Sequence, residues 1–415
     1  MEMSKSTPYT HRMADATVTV RKPDGTALAH QEVTVAQRKH KFLFGNTTWE
    51  ILALANSIFE GAAKERAERV ADAFLDLFNF ATMPFYWGRF EPERGKPGTE
   101  FMRKGAQWLV ERGLVLKGHP LCWHTVTAPW LLDLTNAEIL EAQIARIHRD
   151  VADFAGLVDM WDVINEAVIM PVFDKYDNGI TRICKQLGRI NMIRTMFDAA
   201  RETNPDATLL LNDFDVSSAF DILVEGCLEA GIKIDVIGIQ SHMHQGYWGV
   251  EKTQWVLANF QRFGLPIHFT EITIVSGDIM PEYIVDLNDW QVDEWPSTPE
   301  GEVRQAEEIT SFYKTLLADP LVEGITYWGM TDGGWLKAPG GFLTRDGYPK
   351  PAYHALRDLI KGEWWLAPTK MTTDGEGKVK VTGFLGEYEV TCAGTTATFS
   401  LEKSGATTVE TTLSQ

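Results

Sequence analysis

The sequence predicts an α/β protein built on a (β/α)8 TIM barrel, with a small accessory β-sandwich formed by its N- and C-terminal segments. Three observations carry this. Between residues 41 and 361, short apolar runs alternate eight times with amphipathic helical stretches. Several of those runs end on polar or acidic residues, as strands do at the mouth of a barrel. Outside that region, over residues 14–40 and 362–415, the pattern changes to short alternating strands and glycine turns.

Taken in order, residues 1–13 read as a polar, disordered lead-in. Thr17 to Val20 and Glu32 to Val35 alternate around Pro23-Asp24-Gly25, a turn signal, and read as a β-hairpin over 14–40. Barrel strands are expected near 42–46, 77–81, 114–119, 158–164, 208–212, 235–240, 266–271 and 324–329. Helical periodicity lies between them, for example over Lys64 to Leu77, Phe101 to Arg112, Ala137 to Phe154, Arg189 to Thr203 and Glu302 to Ala318. Gly113 and Asn204-Pro205 are helix stops. An open doubly wound sheet would want a glycine-rich turn after the first strand, and Phe44-Gly45-Asn46-Thr47 is not one. The long segment Val275 to Glu300 carries Trp290 and Trp295 and reads as a cleft wall. After Gly362, strands are expected at Lys378 to Thr382, Glu387 to Thr391, Ala397 to Leu401 and Thr407 to Leu413. One or two strands are not stable alone, so these are expected to pair with the N-terminal strands.

Composition narrows the function. The net charge of -18 argues against a nucleic-acid partner. No apolar run reaches the roughly 18 residues of a membrane span. The 14 Trp and 10 Tyr suit a carbohydrate, whose ring faces stack on aromatic planes. Cys122, Cys184, Cys227 and Cys392 are far apart and expected to be free, buried thiols. Met1 to Ala16 has no apolar signal-type core, which leaves a cytoplasmic protein and a secreted one lacking its leader both open. Oligomeric state is not legible.

The organising stretch is Met160-Trp161-Asp162-Val163-Ile164-Asn165-Glu166, a buried strand ending on an amide and a carboxylate. Pro266-Ile267-His268-Phe269-Thr270-Glu271-Ile272 answers it with a second apolar run ending on a carboxylate. Strands four and seven of a barrel converge on one cleft, so Glu166 and Glu271 are expected to face each other there. Two such carboxyls can hydrolyse an acetal. A spacing of about 5–5.5 Å gives retention and about 6.5–9.5 Å inversion, which sequence alone leaves open. Asn165 can hydrogen-bond a sugar hydroxyl. His242 is expected to donate to Glu271, and His244 to be a satisfied structural histidine. Trp328 and Trp335 suit sugar stacking. His242-Met243-His244 with Asp332 would also suit a metallohydrolase. No metal and no cofactor is the preferred reading.

These residues resemble glycoside hydrolase family 10, the retaining endo-β-1,4-xylanase family. The likeness runs through Phe90-Glu91-Pro92-Glu93-Arg94-Gly95, Gly118-His119 with Trp123-His124, Trp161 to Glu166, and Leu211-Asn212-Asp213-Phe214. It continues through Gly238-Ile239-Gln240-Ser241-His242, Thr270-Glu271, Trp328-Gly329 and Lys350-Pro351-Ala352-Tyr353. The resemblance implies Glu166 as acid/base and Glu271 as nucleophile. It also implies His119, Trp123, Asn165, Gln240, His242, Trp328 and Trp335 around the sugar next to the cut. The implied substrate is β-1,4-linked xylan or xylooligosaccharide. A different β-linked glycan and a non-catalytic carbohydrate-binding barrel are the alternatives.

Two departures stand out. Family members follow strand two with Glu-Asn and Lys-Trp, which bind the glycone sugars. Here Phe78 to Trp87 lacks the Glu, Asn and Lys and keeps only Trp87, with Phe85 and Tyr86 in place of polar contacts. The nucleophile motif, usually Glu-x-Asp, reads Glu271-Ile272-Thr273, which alters the support of the nucleophile.

Overall fold

The computed structural model describes residues 7–414. Its strands in chain order are β1 (Met13–Arg21), β2 (Glu32–His40), β3 (Leu43–Thr47), β4 (Phe80–Pro84), β5 (Val115–His119), β6 (Met160–Asn165), β7 (Thr208–Asp213) and β8 (Val236–Met243). They continue with β9 (Ile267–Ile274), β10 (Val322–Tyr327), β11 (Thr369–Thr372), β12 (Lys378–Phe384), β13 (Gly386–Cys392), β14 (Thr395–Leu401) and β15 (Gly405–Thr412).

Strands β3 to β10 close into a parallel barrel in the order β10-β3-β4-β5-β6-β7-β8-β9, with helices between successive strands. This is the (β/α)8 barrel the periodicity predicts. Every residue of β9 is buried, as expected for a strand covered on both faces. Two glycines leave room for large side chains on the neighbouring strand. A Cβ on Gly118 would fall 2.1 Å from the Trp161 ring, and one on Gly45 would meet Phe80 at 2.6 Å. All eight expected strands overlap the observed ones. The second is displaced to Phe80–Pro84, because the helix Gly61–Leu77 runs on to Leu77.

The helix Asn136–Phe154 shows how local sequence fixes an element. Thr135 accepts from the Glu138 N–H while the Glu138 carboxylate takes the Thr135 N–H, a capping box at the start. Its inner face then carries Ile139, Ile147, Val151 and Phe154 into the core.

The terminal segments form two sheets, β12-β1-β15 and β11-β2-β13-β14. Their inner faces share one core containing Val18, Val20, Val33, Val35, Val381, Tyr388, Val390 and Leu401. The expected N-terminal hairpin is not formed. The turn at Pro23-Asp24-Gly25 exists, closed by Lys22 N–H to Thr26 O at 2.8 Å. Beyond it the chain crosses from one sheet to the other, so β1 and β2 sit in different sheets. Strands β1 and β2 each gain two tail strands as neighbours, and their valines meet face to face across the sandwich.

The expected disordered lead-in is also corrected where it can be followed; residues 1–6 lie outside the described residues. Thr10–Arg12 is a 3-10 helix. The Arg12 guanidinium donates to the carbonyls of Leu317, Asp319 and Val322, at the N-terminal end of β10. Tyr9 packs edge-on against Trp364 at 5.8 Å. These contacts seat the sandwich on the bottom of the barrel, opposite the strand ends that carry Asn165 and Glu166. The four cysteines are free, with Cys392 only half-buried. Among the described residues no helix is long and apolar enough to cross a membrane.

Candidate active site

Glu166 follows the last residue of β6 and has φ +58°, a conformation a non-glycine residue adopts only when its surroundings enforce it. The surroundings are visible. The Glu166 N–H donates to Asn212 O at 2.8 Å, and Asp213 accepts the Val168 N–H at 3.0 Å. Arg189 holds the Val168 carbonyl at 2.7 Å. The Glu166 carboxyl receives three donors: Trp123 Nε1 at 2.7 Å, Asn165 Nδ2 at 3.2 Å and Gln240 Nε2 at 3.2 Å. Burial nonetheless pushes it up to about 8, with the charges of Glu271 and Asp213 acting in the same direction. Burial likewise lifts Asp213 to about 7.

Glu271 lies within β9 and is 4% exposed. Asn212 Nδ2 donates to its Oε1 at 3.0 Å and His242 Nε2 to its Oε2 at 3.1 Å. On the other side of the ring, His242 Nδ1 is hydrogen-bonded to the Thr273 hydroxyl, 3.0 Å away. The threonine that departs from the family pattern therefore serves His242 directly. The two carboxyls are linked through amides. Asn212 Nδ2 also donates to Asn165 Oδ1 at 2.7 Å, and Asn165 Nδ2 returns to Glu166. Thus Glu166 and Glu271 share one hydrogen-bonded cluster at one end of the barrel.

His119 stands over Glu271, its Nε2 3.8 Å from Oε1. Its Nδ1–H is taken by Asp162 at 2.8 Å, and Lys117 Nζ lies 2.7 Å from the same oxygen. Burial works against the charge of Asp162, but Lys117 and His119 outweigh it and hold the carboxyl below its ordinary range. Trp328 lies between the two histidines, 5.2 Å from His119 and 6.0 Å from His242. Trp335, 37% exposed, meets His242 edge-on at 4.8 Å. The loop bearing Trp123 is pinned from below, where Gln143 and Arg146 both donate to Leu121 O.

The structure thus gathers His119, Trp123, Asn165, Gln240, His242, Trp328 and Trp335 around the two glutamates. Trp87 is not among them. It is 4% exposed, its Nε1 donates to Glu91 at 3.0 Å, and Trp130 and Arg146 cover its ring. One helical turn separates Trp87 from the buried Glu91, and that hydrogen bond draws the indole inward. Phe85 is fully buried against Phe154 and Trp161. Tyr86 is the residue that turns to the cleft. It stacks on Trp49 at 5.4 Å, tilts against Trp123 at 5.5 Å and meets His119 edge-on at 5.6 Å. Burial raises its phenol well above the ordinary range, and both Glu271 and Glu166 add to the effect.

His244 is buried as expected, but neither ring nitrogen has a hydrogen-bond partner among the described residues. Burial lowers it to about 3, so the ring is neutral beside Trp335 and Trp295. Asp332 serves Lys350, which at 2.8 Å ties it to Ser276 Oγ and Gly341 O.

Sequence reading named Asn212 only within the family motif, passed over Lys117, and took Phe85 and Tyr86 together as standing in place of polar contacts. Lys117 and Asp162 had a signal, being charges inside runs otherwise apolar. Tyr86 was noticed, but nothing local distinguished it from Phe85 and Trp87.

The sequence profile of glycosyl hydrolase family 10 matches residues 56–359. The chain belongs to glycosyl hydrolase family 10. Its relatives include endo-1,4-beta-xylanase B of Thermotoga neapolitana, 28% identical over 316 residues, covering 71% of this chain and 84% of that protein. Endo-1,4-beta-xylanase 3 of Hypocrea jecorina is 28% identical over 271 residues, covering 62% and 68%. Xylanase 10B of Thermotoga petrophila RKU-1, solved with xylobiose, shares the fold with a TM-score of 0.62 and 22% identity, over 78% of this chain and 95% of that one. The match ends short of the terminal strands, so in this glycosyl hydrolase the sandwich lies outside the family region. The barrel that the family shares carries the whole Glu166–Glu271 cluster.

Proposed function

We propose that this glycosyl hydrolase is a retaining enzyme that cleaves β-1,4-linked xylan or xylooligosaccharides by double displacement. Glu166, protonated, gives its proton to the leaving glycosidic oxygen as Glu271 attacks the anomeric carbon and the old bond breaks. Glu166, now a carboxylate, takes a proton from water as the oxygen of that water displaces Glu271 and frees the sugar.

The observation that carries the assignment is the asymmetry of the two carboxyls. Burial keeps Glu166 neutral to about 8, as an acid must be at neutral pH. Glu271 is oriented from both oxygens by Asn212 and His242, which leaves the carboxylate aimed rather than free to rotate. Xylanases among the relatives support xylan as the polymer.

Glu271→Ala tests the role, with an expected loss on the order of 10⁴-fold or more in kcat. NMR of the first product should show the β anomer; an α anomer refutes retention.

A second substrate is favoured by Tyr86, wedged between Trp49 and Trp123, in the segment where the resemblance implies polar glycone contacts. A different β-linked glycan would suit this wall. Turnover across xylan, mixed-linkage glucan and aryl β-glycosides decides between them, since faster cleavage of any glycan other than xylan replaces xylan as the substrate.

A further inference from the structure

The loops that follow the two carboxylate-bearing strands meet above the cleft. After Glu166, Phe173 packs on His124 at 4.5 Å, and His124 Nε2 lies 3.9 Å from Glu166 Oε2. Two residues on, Lys175 Nζ reaches across to Asp286 Oδ2 and Asp289 Oδ1, each at 2.7 Å. Those aspartates belong to the segment after β9, where Leu287–Asp289 forms a short 3-10 turn. Asn288 in the same turn accepts from Trp335 Nε1 at 3.1 Å. Trp335 in turn packs on His242, which holds Glu271. An arch therefore runs from one carboxyl to the other, with the turn as its keystone.

The arch is built to hold and to release. Its foot is a small apolar core of Val275, Met280, Trp295 and Ala338, edged by Ile284, Leu287 and Trp290. Lys337 Nζ adds bonds to the carbonyls of Val292 and Asp293. Its clasp is different in kind. Lys175 is 40% exposed and its partners 34% and 64%, so the ion pairs that join the two loops there face solvent. Such pairs are weak and screened by salt.

We propose that the turn Asp286–Trp290 is a strap laid across one end of the cleft. With the strap closed, the site receives the end of a β-glycan or a short oligosaccharide. The interior of a long polymer enters only when the Lys175 clasp opens. The inference rests on the glycosidase reading of Glu166 and Glu271.

Lys175→Ala and the double variant Asp286→Asn/Asp289→Asn test it on the full chain. The readout is the ratio of kcat/KM on a polymeric β-glycan to that on its hexasaccharide. Releasing two exposed ion pairs should raise that ratio by about threefold to tenfold, with the hexasaccharide rate within about twofold of the parent. Salt at about 1 M, where the screening length is about 3 Å, should raise the ratio in the parent and leave it unchanged in Lys175→Ala. Hydrogen exchange at the amides of Asp289 and Trp290, which donate to Asp286 O and Leu287 O, reports closure without any turnover. Faster exchange there in Lys175→Ala supports the strap. An unchanged exchange rate, or an unchanged polymer-to-hexasaccharide ratio, overturns it. A parent protein inert on every β-glycan overturns the glycosidase reading instead, while exchange still decides the strap.

Discussion

Replacing Trp123 with Phe should move the alkaline limit of activity upward. Of the three donors to Glu166, Trp123 Nε1 is the shortest at 2.7 Å, against 3.2 Å for Asn165 and for Gln240. A donor to a carboxylate favours its charged form, so removing one makes the proton harder to lose. A hydrogen bond to a charged group is worth about 1.5–3 kcal/mol, and 1.36 kcal/mol corresponds to one pH unit. Trp123 is half-buried and two donors remain, which brings the expected rise to about one unit. With Glu166 as the acid, burial that pushes its carboxyl up to about 8 sets an expected parent limit near pH 8, and the variant's should lie about one unit higher. The sign separates this from general damage, which lowers the whole profile and leaves the limit in place. The assay is kcat/KM against pH on an unactivated xylooligosaccharide, because that parameter reports the free enzyme and that leaving group needs the proton. A limit that stays put or falls would refute the reading of Glu166 as the acid.

Three other substitutions probe the surroundings. In Gly238→Ala the new Cβ would fall 2.5 Å from Asn212 Oδ1 and push apart the bridge between the carboxyls. Turnover should drop at least about tenfold and stability by about 1–3 kcal/mol in a urea titration. Lys350→Met leaves Asp332 buried without its partner, and unfolding should cost about 3–5 kcal/mol less. Tyr86→Ala opens the wall between Trp49 and Trp123. Selectivity across the glycan panel should change by about tenfold or more, whereas unaltered selectivity would make Tyr86 packing alone.

The sequence by itself determined the architecture and set two glutamates, Glu166 and Glu271, at the ends of apolar strand runs. Strand and helix periods differ, so eight buried runs alternating with amphipathic stretches leave few solutions other than a barrel. A carboxylate at the end of such a run stands out because burial there is costly without a use. The same cost marks Lys117 and Asp162 inside their strands, though not that they pair with each other. Tertiary structure decided what local pattern leaves degenerate. The alternation of β1 and β2 is equally satisfied by pairing with each other or with strands more than 300 residues away, and only the whole sandwich selects the second. In Phe85-Tyr86-Trp87 three aromatic rings compete for the cleft. Glu91 captures Trp87, Phe154 and Trp161 enclose Phe85, and Tyr86 is left to face the carboxyls. The contact of Lys175 with Asp286 and Asp289 has no trace in the sequence, because charges on distant loops become partners only once the barrel has set the loops side by side.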